Sequence, residues 1–157
     1  MGRSSSRIAA VGAGALIVVA VGFTGCSAED DFTTQVTEIC NGHNDDIRAA
    51  NEVIGEAKVA EDQADAYTDL AAVAQEQADE VDALEDVPEE DAEKVTAYGK
   101  ALQADADAYT ALAAAASDPQ GSQAEYDAAV TAAQEADKTA NAAGEATGAD
   151  GCVLEEG

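Results

Sequence analysis

The chain has no tryptophan, one histidine, one methionine and two prolines in 157 residues. Aromatic side chains make up only 4%. Lys and Arg number 7 against 33 Asp and Glu, a formal net charge of −26. Each scarcity excludes something. Phosphate backbones are bound by clustered Lys and Arg, so a chain this anionic is not expected to bind nucleic acid. A single histidine excludes most histidine-based metal centres, including the di-iron bundle, which needs two Glu-x-x-His motifs. It also leaves His43 as the one base for a Ser/His/Asp set, with no credible partner arrangement. There is no D-x-[DN]-x-[DN]-G loop, hence no EF-hand, and no Gly-rich phosphate loop after a strand. The expectation is a protein with no cofactor, no metal and no enzymatic activity.

What is present is divided unevenly. Residues 1–25 contain no Asp or Glu. Arg3 and Arg7 form a basic start, and Ile8 to Phe23 is an uncharged run rich in Ala, Gly and Val. A membrane span needs about 20 apolar residues, so this shorter run suits a signal-peptide core better. Phe23-Thr24-Gly25-Cys26 follows. Small residues directly before a cysteine resemble a bacterial lipobox, in which Cys26 is acylated and becomes N-terminal after cleavage. Phe23 stands where that motif ordinarily has an aliphatic residue. Met1-Gly2-Arg3-Ser4-Ser5-Ser6 also fits the loose myristoylation pattern, but the export core directly behind it favours secretion. The expected layout is a leader over 1–25, a lipidated tether over 26–32, a helical domain over 33–152 and a short tail over 153–157.

Without its leader the chain carries 5 cations against 33 anions, a net charge of −28. Alanine, 39 residues in all, supplies most of the 46% apolar fraction. Leu, Ile, Val and Phe amount to roughly one residue in seven beyond the leader, a composition that borders on disorder. Periodicity argues for folding. There is no β-branched or aromatic run of period two, and four segments carry apolar residues at helical spacing. The first, about 33–58, has the stripe Val36, Ile39, Cys40, His43, Ile47 and Ile54. The second, about 62–85, has Tyr67, Leu70, Ala74, Val81 and Leu84. The third starts at Pro88, a proline fitting a first helical turn, and reaches about 116 with Val95, Tyr98, Leu102, Tyr109 and Leu112. Ser117-Asp118-Pro119-Gln120-Gly121 is a break. The fourth, about 122–143, has Tyr126, Val130, Ala133 and Ala140, with Gly144 and Gly148 ending it. The expected fold is an all-α, up-down antiparallel four-helix bundle, or three helices if the first two are continuous across Val59-Ala60-Glu61-Asp62.

An even helix number returns the chain to the end where it began. That brings Cys40, near the start of the first helix, to Cys152, just past the fourth. With Cys26 taken by lipid and the domain exported, a Cys40–Cys152 disulfide is expected. The competing reading is a metal site, since Cys40-Asn41-Gly42-His43 is a C-x-x-H spacing and Cys152 offers a third ligand. It lacks a fourth.

The lipobox, the cysteine in the first helix, the segment Ala83-Leu84-Glu85-Asp86-Val87-Pro88 followed by Tyr98 and Leu102, and the Ala-rich last helix ending near Gly151-Cys152 are together similar to small lipoproteins of high-GC Gram-positive bacteria. The resemblance implies attachment to the outer face of the cell membrane. It carries no activity to transfer.

Two further expectations concern partners. Up-down topology places Tyr67, Tyr109 and Tyr126 at the end away from Cys26, level with Ala50, Val53 and Ile54. They are candidate contacts for a small apolar ligand or an envelope protein partner, or simply the bulky filling of a small-residue core. The acidic turn Glu85 to Asp91 falls at the membrane end, where anionic lipid repels it unless divalent cations bridge the two. The function expected is a structural or interaction role in the cell envelope. The alternative is an extracytoplasmic binding module for a small apolar ligand or divalent cations.

Overall fold

The computed structural model describes the backbone of residues 28–118 and 120–152, with side chains from Phe32 onward. Four helices make up the fold: α1 Ala28–Glu56, α2 Ala60–Asp82, α3 Ala92–Ser117 and α4 Gln123–Ala146. No strand occurs among the described residues. Each helix packs against the next in the chain, α1 on α2, α2 on α3 and α3 on α4. The Cα atoms of α1 and α4 nowhere come within 8 Å of each other. The bundle therefore has one loose seam, between its first and last helices.

The expected tether over 26–32 is corrected by the fold. Helix α1 begins at Ala28, and Phe32 is a core residue, 3% exposed. The run Glu29-Asp30-Asp31 supplies residue types that favour a helix start. Phe32 then extends the apolar stripe of α1 one turn toward its N-terminus, where it packs with Val36 and Cys40.

Helices α1 and α2 are separate. Ala57 closes α1 by donating to the Val53 carbonyl at 2.8 Å, and Val59 is extended (φ −132°, ψ 147°). Neither Pro nor Gly stands in 57–59; Glu61 and Asp62 in the first turn of α2 favour a new start there. Between α2 and α3, Asp86 adopts a left-handed conformation (φ 58°), which Asp tolerates better than most residues. Pro88 does not open α3 as expected. It opens the preceding turn, its carbonyl accepting from the amides of Asp91 (2.9 Å) and Ala92 (3.1 Å), and the helix begins four residues later. Helix α4 starts on a reciprocal cap. The Ser122 amide donates to the Glu125 carboxylate at 2.8 Å, and the Glu125 amide donates to the Ser122 hydroxyl at 3.3 Å. The Ser122 amide, and the Ser122 hydroxyl that also donates to this carboxylate at 2.8 Å, hold the Glu125 carboxyl below its usual range.

Gly144 does not end α4. The helix runs on to Ala146, and Gly148 (φ +81°) turns the chain out of it. The segment 147–152 then folds back on α1. The Asp150 amide donates to the Thr37 hydroxyl at 3.2 Å, and Cys152 is bonded to Cys40, Cα–Cα 4.8 Å. The seam between α1 and α4 is thus closed at one end by this segment and its disulfide.

Candidate functional site

The core divides into two apolar clusters along the bundle axis. The cluster at the disulfide end is built from Phe32, Val36, Val81, Tyr98 and Leu102 around Cys40. Leu84 and Val87 pack against it, so the acidic α2–α3 turn lies at this end, as expected. The cluster at the far end is built from Ala50, Tyr67, Leu70, Leu112 and Ala133, with Ile54, Tyr109 and Tyr126 partly buried against it.

Between the clusters lies a polar layer. On α3, Asp105 falls between Leu102 of one cluster and Leu112 of the other, and it is 6% exposed. On α4, Asp137 falls between Ala133 and Ala140. On α2, Gln77 is buried between Leu70 and Val81. Asp105 Oδ1 is fully buried and has no hydrogen-bond partner. Burial pushes the Asp105 carboxyl up to about 7, and the Asp137 carboxylate beside it adds to the shift. Tyr109 also feels this pair: burial raises its phenol, and Asp137, Asp105 and Tyr67 raise it further. The layer opens on the loose seam. A crevice of about 50 Å³ lies there, lined by Asn44 and Ile47 of α1, Gln77 of α2, Tyr98 of α3, and Asp137 and Asn141 of α4.

The three tyrosines singled out in the sequence are brought together. The Tyr67 and Tyr126 hydroxyls lie 3.2 Å apart, and burial, then this contact, raises the Tyr67 phenol. All three pack into the far-end cluster, and none of them lines the seam crevice. Nor do they line a second hollow, an open groove of about 300 Å³ between α2 and α3, bordered by Ala64, Asp65, Ala113 and three hydroxyl residues. Thr68, Thr110 and Ser117 there donate to carbonyls of their own helices at 2.9, 2.9 and 3.0 Å. Their protons are already committed.

Cys40 and Cys152 are joined, which corrects the C-x-x-H metal reading of Cys40: a disulfide sulfur is not a thiolate ligand. His43 is buried on α1, and its Nε2 lies 3.1 Å from the Glu80 carboxylate of α2. No group of three or more His, Cys, Asp or Glu among the described residues is arranged to hold a metal ion. No helix among them is long and apolar enough to cross a membrane. Cys26, the candidate lipidation site, lies outside the described residues.

Sequence reasoning missed the polar layer, although the helical stripes carry a signal for it. The buried stripe of α3 runs Val95, Tyr98, Leu102, Asp105, Tyr109, Leu112, alternating steps of three and four. The inward stripe of α4 runs Tyr126, Val130, Ala133, Asp137, Ala140, Gly144 in the same rhythm, with Tyr126, Val130 and Asp137 half-buried. In α2, Gln77 stands between Ala74 and Val81. A polar residue at a stripe position is a candidate for burial, whatever its type.

Comparison of the chain with protein-family models, with curated proteins and with solved structures finds no match in any of the three.

Proposed function

We propose that this protein is a lipid-anchored component of the cell envelope, of the actinobacterial small-lipoprotein type, with a structural or interaction role rather than a catalytic one. The observation that carries the reading is the lipobox-like Phe23-Thr24-Gly25-Cys26 standing directly ahead of a domain closed by a disulfide. Disulfides persist in exported proteins and are rare in the reducing cytosol, so the bond and the leader support the same compartment independently.

Anchoring has a geometric consequence. Helix α1 starts two residues after Cys26, and an α-helix rises about 1.5 Å per residue. A lipid on Cys26 holds the Phe32 end of the bundle close to the bilayer and turns the tyrosine end outward. Glu85, Asp86, Glu89 and Glu90 are exposed in the α2–α3 turn at the membrane-proximal end. Anionic headgroups repel such a turn, which keeps the bundle off the surface except where divalent cations bridge the two.

The test is fractionation of cells expressing the wild type and Cys26→Ser, with mass spectrometry of the N-terminus. The wild type is expected in the membrane fraction with residues 1–25 removed and an acyl mass on Cys26, and Cys26→Ser is expected to lose the membrane. Wild type in the cytosol with the leader intact overturns the reading.

A further inference from the structure

We infer that the Cys40–Cys152 bond is an exchange site for a small thiol with a fixed direction: the thiol is taken up by Cys152, and Cys40 leaves as the thiolate. The two sulfurs share one bond but not one environment. Cys40 is 1% exposed, in a cluster with Phe32, Val36, Val81 and Tyr98. Cys152 is only partly buried, and its neighbours Asp150 and Gly151 are exposed. A thiolate attacks a disulfide along the S–S axis, from the side away from the leaving sulfur, so access decides which sulfur it meets. Attack on Cys40 has to come through the disulfide-end core. Attack on Cys152 comes from the side of the C-terminal segment, which the Asp150 amide holds on α1 by its bond to the Thr37 hydroxyl at 3.2 Å.

The leaving side is prepared as well. The Tyr98 hydroxyl lies 3.3 Å from Cys40 Sγ, and because a disulfide sulfur carries no proton, Tyr98 is the donor. It stands at the atom where negative charge develops, in a buried site where a hydrogen bond to an anion is strong. Burial raises this phenol to about 12, so it donates its proton without giving it up.

In the first step the thiolate sulfur bonds to Cys152 Sγ, the S–S bond breaks, and its electron pair stays on Cys40 Sγ beneath the Tyr98 hydroxyl. A second thiolate then attacks the newly bound sulfur and releases Cys152. The protein bond gains two electrons, two thiols become one small disulfide, and their protons end on Cys40 and Cys152. The first step alone removes the covalent tie across the seam, where the backbones of α1 and α4 do not approach each other.

The experiment uses the full-length chain carrying Cys26→Ser, in which Cys40 and Cys152 are the only cysteines. The probe is excess cysteamine, a small thiol whose positive charge suits so anionic a chain. Acid stops the reaction at intervals, and peptide mass spectrometry counts the adduct on each cysteine. In the native protein the adduct is expected on Cys152 over Cys40 by about tenfold, and in denaturant the two are expected to agree within about twofold. Tyr98→Phe keeps the ring and removes the donor. It is expected to slow native exchange about tenfold and to leave exchange in denaturant unchanged. The sign separates a donor from a packing residue, because a substitution that only loosened the core would speed the exchange. Adduct spread evenly over both cysteines in the native protein, or a Tyr98→Phe rate equal to or above that of Tyr98, overturns the inference.

Discussion

The hydroxyl of Tyr98 lies 3.3 Å from Cys40 Sγ, so a buried phenol of α3 caps the disulfide that ties the C-terminal segment to α1. Burial raises that phenol to about 12, and the ring stays neutral at any physiological pH. The bond it caps spans 112 residues of sequence, nearly the whole folded domain. In the chain-entropy model, closing a loop of that order contributes about 5 kcal/mol. From residue 26 onward few side chains are large, so this is a major share of a typical net stability of about 5–15 kcal/mol. Replacing both Cys40 and Cys152 by Ser is expected to remove on the order of 4–5 kcal/mol, measured as a lower urea midpoint with a steeper slope, because the unfolded chain without the cross-link is less compact. An unchanged midpoint sinks this account.

Gly144 and Gly42 are both helical glycines, and their Ala variants are expected to shift stability in opposite directions. A Cβ on Gly144 would stand 2.8 Å from the Cys152 Cβ and 3.2 Å from the Tyr98 ring. Cys152 is held by its bond to Cys40 and cannot retreat freely. Gly144→Ala is expected to cost about 1–3 kcal/mol through overpacking. A Cβ on Gly42, in the exposed middle of α1, meets nothing within 4 Å. Gly42→Ala is expected to stabilise by about 0.5–1 kcal/mol, the ordinary gain of Ala over Gly in a helix interior. Thermal unfolding of the two variants decides both signs.

This contrast also marks what the sequence made legible. The stripe through Val36, Cys40, His43 and Ala50 shows the buried face of α1 by spacing alone. The pairing of Cys40 with Cys152 follows from the even number of helices, a property of topology that needs no side-chain detail. The role of Gly144 was illegible, since it depends on a tail that folds back beyond Gly148. Asp105 was hidden by its context. It sits in the run Ala104-Asp105-Ala106-Asp107-Ala108, where two aspartates look alike, yet Asp105 is buried and Asp107 exposed. Only the rhythm of the stripe separates them, because hydropathy disfavours burying either.

Phe32 tests the corrected boundary of the domain. As part of a loose tether it would tolerate any substitution. As a core residue 3% exposed, packed beside Val36 and Cys40, it leaves a cavity when truncated. Phe32→Ala is expected to destabilise by about 3–5 kcal/mol, the usual range for a buried Phe. Phe32→Leu should recover much of that. Denaturant melts of the pair are the measurement, and a loss under about 0.5 kcal/mol, typical of surface sites, returns residues 26–32 to the tether.

The pH dependence of global stability has a sign opposite to that of a salt-bridged carboxylate. Burial and the Asp137 charge raise Asp105 from 3.8 to about 7 in the folded protein. The folded state therefore binds this proton more tightly than the unfolded one. Stability from this group is fully present below about pH 4, falls as pH rises toward 7, and is flat above. The loss amounts to a few kcal/mol, because each pH unit crossed between the unfolded and folded titrations removes about 1.4 kcal/mol. Asp105→Asn keeps the shape and removes the titration. It is expected to be more stable than the wild type at pH 8 and to lose that advantage by pH 4. The net charge of −26 also relaxes on acidification, but in both proteins alike, so the difference between their unfolding free energies isolates Asp105. Parallel curves for the two from pH 4 to 8 would mean that Asp105 is solvated in the folded state.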